Sequence, residues 1–249
     1  MNRIALTIAV SIILATTPVR SQIFDLEDSE TASQQVEMQL LNTVNVDNDV
    51  PGGNRSEHEI ALNYGALSFW RTGLAFQLTN ARGQNLKLVG IEWSNTLALY
   101  GGETSFEPTA FSLALYTGLR TNVNDGDDLL LTVGPAMKYA FGSGEVAANT
   151  FLEVPFNNGR GSAALDYALG MKYDLDSTFA VGVAAHGEVP SIFKGAPDVD
   201  DQEHYAGTTL DMVFTPEGSR EVGVQFGAFS GLTEATPTVG LSANLAFGF

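Results

Sequence analysis

The chain contains no cysteine, so a disulfide framework, a thiolate nucleophile and a cysteine-bound metal are all excluded. Histidine is nearly as scarce, at His58, His186 and His204, and three scattered imidazoles do not suggest a zinc site. Lysine and arginine together number 12 against 29 aspartates and glutamates. A basic stripe that could neutralise phosphates is therefore missing, which argues against a nucleic-acid partner. Beyond residue 21 there is also no apolar run long enough to cross a bilayer as a helix.

One apolar run does occur, at residues 4–15, and it is too short for a membrane span. Asn2 and Arg3 precede it, and Thr16, Thr17, Pro18 and Arg20 break it. With Val19-Arg20-Ser21 before Gln22, the segment reads as a secretory signal peptide over residues 1–21, cleaved near Ser21. No cysteine follows, so it is not a lipoprotein signal. Removing Arg3 and Arg20 takes the formal charge from −17 to −19. An exported chain of this length without disulfides has two sources of stability, a large packed core or a bilayer around a closed sheet.

What the sequence does have is alternation. At the carboxyl end Val239, Leu241, Ala243, Leu245, Phe247 and Phe249 alternate with Gly240, Ser242, Asn244, Ala246 and Gly248. A period of two is the pattern of a strand with one apolar face. Such an end on an aromatic resembles the sorting signal read by the barrel-insertion machinery of Gram-negative bacteria, although Asn244 stands where glycine is common. Similar segments recur at intervals of roughly 20 residues, separated by glycine and Asn/Asp clusters.

Twelve segments can be counted: 33–46, 56–64, 69–79, 85–100, 109–120, 129–141, 145–156, 162–173, 178–189, 204–214, 221–229 and 238–249. Residues 22–32 are acidic and unpatterned and read as a short periplasmic lead-in, which leaves 33–249 for the barrel. In the fourth segment the apolar residues change parity near Gly90, which predicts a bulge. Pro135 has no N–H to give a ladder and counts against full pairing of the sixth. An even count lets both ends of the sheet face the periplasm, and the longest loop, 190–203, then falls on the outside. Ten or fourteen strands are the neighbouring alternatives.

A soluble sandwich alternates too, so the polar face decides. In a sandwich it meets water and should carry many Lys, Glu and Thr residues. Here it is mostly Gly, Ala, Ser and Asn with isolated charges, as suits the inside of a narrow cylinder. The expected fold is thus all-β, a closed antiparallel transmembrane barrel in the bacterial outer membrane. Its expected lumen lining includes Arg71, Arg120, Lys138, Glu153, Asp166, Lys172, His186, Glu188 and Asp211. Trp70, Phe141, Tyr173, Phe214, Phe247 and Phe249, near strand ends, are expected at the membrane interfaces.

Other chemistry is thinly represented. Neither Ser56-Glu57-His58 nor His186-Gly187-Glu188 has the His-x-Ser spacing of outer-membrane phospholipases, so no catalytic residues and no cofactor are assigned. The stretch 122–128, NVNDGDD, looks like a calcium loop, but Gly126 does not fit the EF-hand order, and no metal site is assigned. Asp198, Asp200, Asp201 and Glu203 could bridge divalent cations to lipopolysaccharide, a partner that joins outer-membrane lipid and the barrel-assembly machinery.

Glu92-Trp93, Gly134-Pro135, Asn149-Thr150-Phe151-Leu152-Glu153, Gly231-Leu232-Thr233 and the final Phe249 resemble a family of largely uncharacterised proteobacterial outer-membrane barrels. That family lies near the transporters of the phenol-degradation meta-pathway. The resemblance implies a barrel and, loosely, passage of solutes, and it brings no catalytic residues. The expected function is a narrow porin-like channel or uptake protein for small solutes. The alternatives are a closed-lumen structural or surface-interaction barrel and, less strongly, a lipid-modifying enzyme.

Overall fold

The computed structural model describes residues 35–46, 54–81, 85–101, 111–123, 129–156, 162–195, 197–214 and 222–249. The expected signal peptide and lead-in, and most of the stretch 122–128, lie outside them. Twelve strands are present: β1 (Val36–Val46), β2 (Arg55–Leu67), β3 (Trp70–Ala81), β4 (Lys87–Tyr100), β5 (Phe111–Asn122), β6 (Leu129–Phe141), β7 (Gly144–Pro155), β8 (Ala164–Asp174), β9 (Phe179–Val189), β10 (Glu203–Phe214), β11 (Val222–Gly231) and β12 (Val239–Gly248). Each pairs antiparallel with its sequence neighbours, and β12 pairs with β1, so the sheet closes. The strands run from 10 to 14 residues, which covers the roughly 9–11 that a tilted strand needs to cross a bilayer. Twelve strands ~4.8 Å apart and tilted about 40° make a backbone cylinder about 25 Å across.

The alternation seen in the sequence becomes the two faces of this wall. Outward positions carry Leu62, Leu74, Trp93, Leu169, Val183, Phe226 and Leu241, all exposed. The outward indoles are satisfied locally, with Trp93 Nε1 donating to Thr72 Oγ1 at 2.9 Å and Trp70 Nε1 to Asn95 Oδ1 at 3.0 Å. An indole N–H facing hydrocarbon needs such a partner. Both irregularities expected from the sequence are present. Between Gln77 and Leu78 the register shifts so that Val89 is skipped, next to Gly90. The β6–β7 ladder omits Gly134 and Pro135, where the proline has no N–H to donate. β2 runs past the expected end at residue 64 to Leu67, with a register shift between Gly65 and Leu67, so the turn into β3 lies beyond Leu67.

The closing seam has a gap of its own. β1 and β12 pair up to Leu40↔Leu245 and resume at Thr43↔Ser242 without a change of register. Across the interval side chains replace the ladder: Asn42 N donates to Asn244 Oδ1 at 3.2 Å, and Asn42 Nδ2 donates to the Ala243 carbonyl at 3.0 Å. Asn244, the residue that departs from the common glycine, is therefore a staple of the seam. Replacing Asn42 or Asn244 by Ala is expected to cost ~1–2 kcal/mol each, since each leaves backbone groups unpaired in a water-poor wall. The double variant should cost less than the sum, because the two share one network. Denaturant unfolding of the folded barrel in vesicles reads this directly.

Candidate functional site

The inner wall is the candidate site, and charge defines it. Every Asp, Glu, Lys and Arg on the described strands stands at an inward position. There are eleven carboxylates (Glu37, Glu57, Glu59, Glu92, Glu145, Glu153, Asp166, Asp174, Glu188, Glu203 and Asp211) and six bases (Arg55, Arg71, Lys87, Arg120, Lys138 and Lys172). The registers place them on one face: Glu37 is level with Asn63 and Gly73, Glu92 with Ala75 and Arg120, and Asp211 with Ala180 and Gln225. A water-soluble barrel has no reason to clear its outer surface of charge, whereas hydrocarbon penalises each charge by several kcal/mol.

All nine residues expected to line the lumen have this inward parity, and several meet partners that sequence spacing does not reveal. Arg120 Nη2 lies 3.4 Å from both carboxylate oxygens of Glu153, bridging over β6, where Thr132 Oγ1 also donates to Glu153 at 3.4 Å. Lys172 Nζ lies 3.1 Å from Glu145, and Arg71 reaches Glu37 at 3.8 Å across β2. Asp211 accepts from Gln225 Nε2 at 2.7 Å, and Gln225 Oε1 in turn accepts from Asn244 Nδ2 at 3.1 Å. At the rim away from the start of β1, Arg55 of β2 comes within 3.9 Å of Glu203 of β10, although three strands separate them around the wall.

His186 has a different setting from the charged candidates. It is buried, stacks on Tyr205 at 4.8 Å and meets the edge of Phe229 at 5.2 Å. These aromatics, with Phe151 and Tyr116 at 5.0 Å from one another, point inward and are missing from the sequence expectation. Their parity was the available signal: Tyr205 alternates in step with Gly207, Thr209 and Asp211, and Phe229 with Gly227 and Gln225. Phe229 lies flat because the wall beneath it has no side chains. A Cβ on Gly227 would sit 2.6 Å from its ring, and one on Gly207 at the same distance. A belt of inward alanines (Ala114, Ala136, Ala147, Ala168 and Ala184) is only 2–6% exposed, so longer neighbours lie over it and narrow the bore.

A second belt joins β2 to β5. Gln77 Nε2 donates to Glu59 at 3.1 Å and to Glu92 at 3.4 Å, and Tyr116 OH donates to Glu92 at 2.6 Å. Also absent from the sequence expectation are Arg55, Glu37, Glu57, Glu59, Lys87, Glu92, Glu145, Asp174 and Glu203; all but Lys87, which lies beyond the register shift in β4, follow the polar parity of their strands.

The six expected interface aromatics all belong to one rim, the one at which β1 begins and β12 ends. Trp70 opens β3, while Phe141, Tyr173, Phe214 and Phe247 close their strands there and Phe249 follows β12. Tyr100 packs beside Phe111 at 6.1 Å and Tyr139 beside Phe141 at the same separation, which thickens this girdle. The histidines outside the lumen have no serine among their described bonds: His58 Nδ1 meets Asn42 Oδ1 at 3.0 Å, and His204 meets the Tyr167 hydroxyl at 2.8 Å and Gln202 at 3.0 Å. Among the described residues, no His, Asp and Glu side chains cluster closely enough to hold a metal.

No protein-family model and no characterised protein matches the chain by sequence. Solved structures do match in fold, and they are outer-membrane porin and channel barrels. An outer membrane channel from Pseudomonas putida F1 superposes with a TM-score of 0.60 at 11% identity, over 87% of this chain and 95% of that one. The NanC porin gives 0.57 at 7% identity, over 86% and 98%. The KdgM porin, in complex with disordered oligogalacturonate, gives 0.52 at 8% identity over the same shares. At these identities the likeness is one of architecture.

Proposed function

We propose that this chain is an exported outer-membrane barrel that forms a narrow, porin-like passage for small solutes. One observation carries the reading: the described strands put all their formal charge inside the cylinder and none outside. Such a wall separates lipid from a polar interior. In this reading residues 1–21 direct export, and the terminal strand is what the assembly machinery engages. The aromatic rim faces the periplasm, and the 190–203 loop faces outward, where its acidic residues would bridge divalent cations to lipopolysaccharide. Arg71, Arg120, Lys138, Glu153, Asp166, Lys172, His186, Glu188 and Asp211 line the passage. Kinship with the meta-pathway transporters rests on the short motifs around Trp93, Pro135 and Phe151 and deepens the proposal without naming a solute.

A second reading, a closed structural barrel, draws on the buried alanine belt and the ion pairs tying strand to strand. Planar-bilayer recording separates the two. A passage should show small unitary currents that change when Lys138 and Lys172 are replaced by Ala, because both side chains stand in the bore. Near-zero current, unaltered in that double variant, would establish the closed barrel instead.

A further inference from the structure

The distribution of the lumen charges says which solutes the passage favours. Eleven carboxylates against six bases leave an excess of five negative charges on the described strands, whatever the pairing. The excess is not even along the axis. Towards the loop-bearing rim stand Glu57, Glu59, Glu92, Glu153, Asp166, Glu188 and Glu203, against Arg55, Lys87 and Arg120. Within that set the ladders align three carboxylates side by side on adjacent strands, Asp166↔Glu188 on β8 and β9 and Glu188↔Glu203 on β9 and β10. Glu203 also meets Arg55 at 3.9 Å, and the net charge of this rim stays negative with that pair counted. Asp198, Asp200 and Asp201, exposed in the loop leading into Glu203, extend the same field beyond the rim.

We infer that the passage selects cations, inorganic ions and small ammonium solutes, through the acidic excess gathered towards its loop-bearing rim. This rests on the channel reading above. A low-dielectric wall focuses the field of charges that line a bore and raises the local concentration of counter-ions. At 0.1 M salt the Debye length is about 10 Å, close to the ~12 Å radius of the cylinder, so the field spans the lumen. At 1 M it falls to about 3 Å and the effect fades. The polyanion in the KdgM complex is the opposite class of solute, and an acidic bore opposes it.

The test is the reversal potential of the barrel in a planar bilayer under a KCl gradient. With the dilute side at 0.1 M, a potential of the sign for K⁺ over Cl⁻ is expected, with the permeability ratio falling towards unity when both sides exceed 1 M. The variant Asp166→Asn/Glu188→Gln/Glu203→Gln should lose several-fold of that ratio, which the reversal potential reads independently of the size of the current. Chloride preference, or no preference at low salt in the unmodified protein, overturns the inference and leaves the channel standing. An unchanged ratio in the variant overturns the assignment of the selectivity to the acidic rim. Absence of any current removes the channel reading and this inference with it.

Discussion

An arginine in place of Leu169 is expected to lower the unfolding free energy of the barrel in lipid vesicles by about 2–4 kcal/mol. Leu169 sits at the middle of β8 on the outer face and is 51% exposed to whatever surrounds the protein. If that surrounding were water, the substitution would exchange one exposed side chain for another and fall within roughly 0.5 kcal/mol of neutral. In hydrocarbon the guanidinium must keep its charge far from either interface, and the penalty is greatest at mid-strand. Guanidinium unfolding in vesicles, followed through the outward Trp70 and Trp93, measures the difference. A neutral result would remove the lipid-facing wall, and the passage with it.

The variant Arg120→Met is expected to cost about 3 kcal/mol, towards the range measured when one partner of a buried ion pair is removed. The guanidinium and its partner Glu153 are 19% and 11% exposed, and Glu92 stands opposite Arg120 on the neighbouring strand. Taking the base away leaves Glu153 and Glu92, on either side of the vacated position along the wall, without the guanidinium between them. Arg120→Met/Glu153→Leu should recover most of the loss, because the remaining groups are then apolar and of similar size. A single-variant cost below ~1 kcal/mol would mean that water screens the pair as it does on an open surface. That outcome would make the bore wider and wetter than the ion pairs and buried alanines indicate.

Both outcomes depend on which side of the wall a residue occupies, and that much was legible in the sequence. The period of two is a local property of the extended chain, so the apolar parity of Leu129, Leu131, Val133 and Met137 marks the outer face without knowledge of any partner. The twelve segments follow in the same way, and so does the break at Gly90, because a bulge shifts the local parity. Strand ends moved by one to three residues, as expected where hydrogen bonding rather than pattern sets the limit. The aromatics of the lumen are the exception: a large apolar side chain on such a strand points to the lipid side by its chemistry, although Phe151, Tyr205 and Phe229 fall on the polar parity.

Register and closure set the rest, and neither is local. Alternation says that Arg120 points inward, but which carboxylate it meets depends on how far β7 slides against β6. Likewise Arg55 reaches Glu203 only because the sheet curls back on itself, bringing β2 opposite β10. Asn42 and Asn244 are separated by most of the chain until β12 meets β1. The sequence by itself therefore determined the faces, the number of strands and the sign of the interior charge. Only the tertiary structure decided which charges pair, where three carboxylates fall in one row and how the seam is held, because the stagger of a closed sheet belongs to all its strands at once.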